Sequence, residues 1–149
     1  MNSKKQRRGK KAKRIMMLLM LATLALTPVY ASAAGNYKDT WYYYDYSGDG
    51  SDFSIGSRAK LDYTSCYIKN LHRQFPILTR VFATNRESSD NYTLLKDCSV
   101  HPYLQVDPGE AKYVQNYVRE WGYRYCTFFI TPGTHDPAVF SGLWSPDSI

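Results

Sequence analysis

The 149-residue chain carries 19 lysines and arginines against 13 aspartates and glutamates, a formal charge of +6. Eight of the basic residues crowd into residues 4–14, and no acidic residue precedes Asp39, so from residue 34 onward 11 basic groups face 13 acidic ones. Without its leader the chain is mildly acidic, which excludes the nucleic-acid and anionic-membrane classes that the whole-chain charge would invite.

The leader has three parts. Lys4 to Arg14 form a basic stretch, Ile15 to Leu26 an apolar run, and Ala31-Ser32-Ala33 a small-residue exit after the Thr27-Pro28 break. This is the pattern of a helical secretory signal peptide cleaved near Ala33. The apolar run falls well short of the ~20 residues that a membrane-spanning helix needs, so no stable membrane insertion is expected after cleavage. Arg7-Arg8 is followed by Gly9-Lys10-Lys11 rather than by apolar residues, which argues against twin-arginine export. The expected product is one secreted, extracellular domain, residues 34–149, of a size that suits a single core.

Aromatic residues make up 15% of the chain, with 14 tyrosines among them. Such residues fit a pleated, half-buried surface and favour strands. In chain order the expected strands begin with Thr40–Tyr46 (TWYYYDY), followed by a Gly- and Asp-rich turn over residues 47–52. Lys60–Lys69 reads as the second, with Leu61, Tyr63 and Tyr67 on one face. Ile77–Thr84 alternates with period two. Thr93–Leu95 and Val100–Val106 are shorter, the latter interrupted by Pro102. Residues 110–121 admit a helical reading through Ala111, Val114, Val118 and Trp121, with Gly122 as its cap, but the β surroundings favour strand or irregular structure. Tyr123–Thr131 is the clearest strand, and Ser141–Trp144 supplies a short edge strand. The fold class expected is all-β, a small antiparallel β-sandwich.

Sites are scarcer. Asp45, Ser47 and Asp49 stand at the first, third and fifth positions of a calcium-type loop with Gly50 at the turn, but Gly56 occupies the twelfth position, where a bidentate Glu is required. Cys98 and His101 have the spacing of half a zinc site, yet Cys126 and His135 do not complete it. No metal and no cofactor is therefore expected. Cys66, Cys98 and Cys126 allow at most one internal disulfide, in any of three pairings. Asn91-Tyr92-Thr93 matches a glycosylation sequon by chance. No nucleophile–base motif is present, and no catalytic residue is nominated. In a strand over Thr40–Tyr46, one face carries Trp41 and Tyr43 and the other Tyr42, Tyr44 and Tyr46. The row Tyr42, Tyr44, Tyr46 is the candidate binding surface.

Three stretches resemble a family: Ile55–Ser65 (IGSRAKLDYTS), Asn116–Tyr123 (NYVREWGY) and the ending Ser141–Ile149 (SGLWSPDSI). They are similar to small secreted hypothetical proteins of Gram-positive bacteria, a domain-of-unknown-function family with an S-G-x-W-S-P-D-S ending. The resemblance implies an exported, β-rich single domain without an assigned activity, and faintly a link to bacteriocin loci. Trp144, Pro146 and Asp147 are expected to be structural, the tryptophan as a plug and the other two as a terminal turn. The function expected is a non-enzymatic extracellular binding module for a glycan or a surface protein. A bacteriocin-like competition factor is the alternative and a small secreted hydrolase the third reading.

Overall fold

The computed structural model describes residues 35–87 and 94–148. The leader and the Asn91-Tyr92-Thr93 sequon lie outside them. Ten strands follow in order: β1 (Thr40–Tyr46), β2 (Phe53–Ser54), β3 (Arg58–Ala59), β4 (Cys66–Asn70), β5 (Ile77–Thr84), β6 (Lys96–Asp97), β7 (Leu104–Val106), β8 (Ala111–Val114), β9 (Tyr125–Pro132) and β10 (Ala138–Ser145). There is no α-helix among the described residues. One sheet has the order β1-β10-β4-β8. In the other, β2-β9-β5-β6 is the main path, with β3 also pairing β9 and β7 pairing β5. Every pairing is antiparallel, and the two sheets pack face to face on one core, so the domain is all-β as expected.

The core is what alternation predicts. Ile77, Thr79, Val81 and Ala83 of β5 point inward, against Phe128 and Ile130 of β9, while Ile68 of β4, Val114 of β8 and Phe140 of β10 face them from the other sheet. Trp144 of β10 is 1% exposed and meets Phe128 of β9 edge-on, with ring centroids 5.9 Å apart, a plug joining the two sheets. Buried Asn70 is fully satisfied: its amide donates to the carbonyls of Phe75 and Val106, and its Oδ1 accepts the His72 amide. This pins the β4–β5 connection to the end of β7.

β1 and β5 have the bounds that the sequence predicts. Others move for identifiable reasons. The stretch Lys60–Lys69 is a strand only from Cys66, because Asp62 accepts the Thr64 amide and hydroxyl in a tight side-chain turn. Leu61 and Tyr63 consequently leave the sheet and are exposed. Only Leu104–Val106 of Val100–Val106 is strand, and in place of Thr93–Leu95 the described chain has β6 at Lys96–Asp97. Residues 110–121 hold β8 and then a single turn, in which Trp121 donates to Tyr117 and Gly122, at φ +79°, to Arg119. Strand Ser141–Trp144 is not an edge. As part of β10 it lies between β1 and β4, in register with Tyr42 and Asn70 at Gly142.

Gly142 explains how that packing is possible. A Cβ there would lie 2.0 Å from the Lys69 carbonyl oxygen and 2.5 Å from the Tyr42 ring, whose hydroxyl donates to the same carbonyl. Gly142→Ala is expected to cost about 3 kcal/mol, measured as a lower denaturation midpoint in urea, because neither the backbone nor the ring can yield. A stability unchanged within error would show that β10 has room to shift.

Candidate functional site

The C-terminal motif closes one end of the sandwich through buried charge. Lys60 follows β3 and its side chain is fully buried, its Nζ 2.7 Å from Asp147 Oδ1 and 3.2 Å from Asp62 Oδ1. Asp147 Oδ2 also accepts the amides of Asn36 (2.5 Å) and Leu61 (3.1 Å). Arg58 donates to the Trp144 carbonyl and to the Asn36 side chain, and its guanidinium lies over the Trp144 ring. The Ser148 amide donates to the Thr64 hydroxyl. Burial works against the charge on Lys60, but Cys66 and the hydrogen-bonded carboxylates outweigh it and raise its pKa above the ordinary value. Burial likewise opposes ionisation of Asp62, but is overcome by the hydrogen bonds from Thr64, with Asp147 and Tyr37 adding to them, so its pKa falls well below the usual range. A carboxylate as occupied as Asp147 is a poor general base. The cluster reads as a clamp.

Above the clamp lies a shallow cleft of about 270 Å³, walled by Tyr37, Asp39, Tyr67, Tyr113 and the 145–148 tail. The Tyr37 hydroxyl donates to Asp62 at 3.0 Å, and the Tyr67 and Tyr113 rings lie 5.7 Å apart across the β4–β8 pair. This cleft opens at one end of the outer face of the β1-β10-β4-β8 sheet. Trp41, Leu143, Lys69 and Ala111 stand in one register row across it, and Tyr43 sits beside Ser141 two residues further along β1. Trp41 is 69%, Tyr43 70% and Tyr113 62% exposed. The outer face of the other sheet differs. Its Phe82 and Tyr103 rings lie under the Arg80 guanidinium, which Asp52 holds at 2.6 Å.

The row nominated from sequence is therefore turned the wrong way. Tyr42 and Tyr46 are 4% and 1% exposed and belong to the core, while Tyr44 is half-buried and stacked on Phe53 at 4.0 Å. Burial raises the Tyr42 hydroxyl pKa far above its ordinary value. The displayed face of β1 carries Trp41 and Tyr43 instead, and only the register with β10 decides between the two. Trp144 is the plug that the sequence predicts. Asp147 does more than make a turn: it pairs with Lys60, which no sequence motif marks.

The calcium-like loop is a tight crossover from β1 in one sheet to β2 in the other. Asp49 accepts the Ser51 amide and hydroxyl, which lowers its pKa, the Tyr46 hydroxyl accepts the Gly50 amide, and Asp52 serves Arg80 and Thr131. No group of three or more His, Cys, Asp or Glu side chains converges as a metal site among the described residues, and Cys98, His101, Cys126 and His135 do not meet. His72, isolated in sequence, accepts the Gln74 and Phe75 amides at Nδ1 and stacks on Phe140, and burial lowers its pKa. Cys66 of β4 and Cys126 of β9 bring their sulfurs within 3.7 Å; all three cysteines are buried.

Fold and surface define a small two-sheet β domain, clamped at its C-terminal end and displaying Trp41, Tyr43 and Tyr113 on the outer face of one sheet. Residues 27–148 match the model of the family described as protein of unknown function (DUF2712), and the chain belongs to that family. No curated protein and no solved structure matches it.

Lys60→Met leaves the Asp147 carboxylate buried without its cation and is expected to cost about 3–5 kcal/mol in chemical denaturation. The double variant Lys60→Met, Asp147→Asn should recover part of that loss, since the charge is gone and an acceptor oxygen remains for the backbone amides. A folded pKa below the unfolded one means that Asp62 contributes stability above about pH 4, and that this contribution is lost as the pH falls. Asp62→Asn should flatten the acid limb of a plot of denaturation midpoint against pH. An acid limb identical to that of the parent would rule this out.

Proposed function

We propose that the protein is exported and acts outside the cell as a non-enzymatic glycan-binding module, with the outer face of the β1-β10-β4-β8 sheet as its binding surface. The observation that carries this reading is the open display of Trp41, Tyr43 and Tyr113 on the outer face of one sheet, where the other sheet has Phe82 and Tyr103 under the Arg80 guanidinium. Successive outward residues of a strand are ~7 Å apart and neighbouring strands ~4.8 Å. The three rings thus form a platform several sugar units long. Apolar C–H faces of pyranose rings stack on such rings, and the cleft beside Tyr67 and Tyr113 adds hydroxyl and carboxylate partners for sugar hydroxyls. The leader with its Ala31-Ser32-Ala33 exit supports export. Large exposed apolar patches rimmed by polar groups are the usual mark of a recognition surface.

Incubation of the purified protein with insoluble cell-wall and plant polysaccharides, beside a non-binding β-protein, tests the reading. Retention on one of them is expected, with release by the matching soluble sugar. The double variant Trp41→Ala, Tyr43→Ala should weaken retention at least about tenfold while leaving the thermal midpoint within a few degrees of the parent. Retention by no polysaccharide, or retention untouched by the double variant, would sink this reading in favour of a protein partner.

A further inference from the structure

We infer that Cys66 and Cys126 are the two halves of an inter-sheet disulfide and that Cys98 remains a thiol. Sequence leaves three pairings open, and the fold brings one pair together. Cys66 lies on β4 in one sheet and Cys126 on β9 in the other, both with no exposed surface, with their sulfurs 3.7 Å apart in the core. Closing to a bond of about 2.05 Å is a movement of under 2 Å shared by two side chains. Cys98 makes no such sulfur contact. It lies beyond β6, where its amide donates to Val81 and its carbonyl accepts Tyr117, so its backbone is tied to β5 and to the turn after β8.

The chemistry balances with a disulfide oxidant, either a small-molecule disulfide or an oxidoreductase. The thiolate of one cysteine attacks the oxidant and releases one thiol. The thiolate of the second then attacks the mixed disulfide and releases the other, the two cysteine protons ending on the released thiols. No oxidant reaches the pair in the closed sandwich. The shared thiol hydrogen bond and burial also push the Cys126 pKa well above its ordinary value, although neighbouring Lys60 works the other way. Exchange therefore belongs to the folding chain, before the sheets close, and the finished bond is sealed from reductant. The pairing rests on geometry alone, and its occurrence in the cell also rests on the export reading.

The full chain is denatured, reduced and refolded in a buffer of reduced and oxidised glutathione, in parallel with product recovered from a culture medium. Mass spectrometry of the refolded protein should find it two hydrogens lighter than the all-thiol form, with alkylation in denaturant tagging Cys98 and a linked peptide pair holding Cys66 and Cys126. Cys98→Ser should keep the bridge. Dithiothreitol should leave it intact until denaturant is added, and the protein refolded without oxidant should melt roughly 10 °C lower. Three alkylated cysteines in the refolded protein, or a bridge that includes Cys98, would overturn the assignment. A Cys66–Cys126 bridge after refolding, with no product found in the medium, would uphold the pairing and count against the export reading.

Discussion

The arrangement depends on a lysine that has no water to go to. Lys60 is wholly inside the protein, and an unpaired ammonium there would cost several kcal/mol. The chain answers with Asp147, from 87 residues away, and Asp62, from two residues away. Such a pair adds little net stability over two apolar residues of equal size. Its effect is selective. Any other placement of the C-terminal tail takes from buried Lys60 the nearer of its two carboxylates and leaves the amides of Asn36 and Leu61 without Asp147, so competing registers of β10 are penalised.

That selectivity reaches the outer face of the β1-β10-β4-β8 sheet. Once Asp147 is anchored, Trp144 must point inward onto Phe128 and Leu143 outward, because successive residues of a strand alternate. The register of β10 then places Gly142 under the Tyr42 ring, which commits Tyr42 and Tyr46 to the core and turns Trp41 and Tyr43 to solvent. Which aromatics of β1 are displayed is settled at the other end of the chain.

Here lies the boundary of what the sequence makes legible. Period-two alternation in Ile77–Thr84 and the aromatic content were enough for the strands and the all-β class, and the composition of residues 47–52 for a turn. TWYYYDY is aromatic on both faces, so binary patterning has nothing to distinguish them, and the sequence reading displays Tyr42, Tyr44 and Tyr46 where the fold displays Trp41 and Tyr43. A one-residue change of register inverts every side chain in a strand, and the register here is long-range information. Lys60 was equally opaque. A charged residue in a strand-like stretch reads as solvated until a partner is placed beside it, and its partner sits in a motif that reads as a turn.

The S-G-x-W-S-P-D-S ending now has a physical division of labour. Its glycine admits a ring, its tryptophan joins the sheets, its aspartate neutralises Lys60, and Ser145, Asp147 and Ser148 help to wall the cleft beside Tyr37, Tyr67 and Tyr113. Of this ending, Ser141 and Leu143 lie on the outer face beside Tyr43 and Trp41, while Gly142, Trp144 and Asp147 are buried beneath it. The buried members constrain the shape of the face. Residues 41, 43 and 113 can therefore change without disturbing the core, whereas residues 142, 144 and 147 cannot change without moving the outer face itself. Surface display and stability are thus carried by different residues, on opposite faces of one sheet.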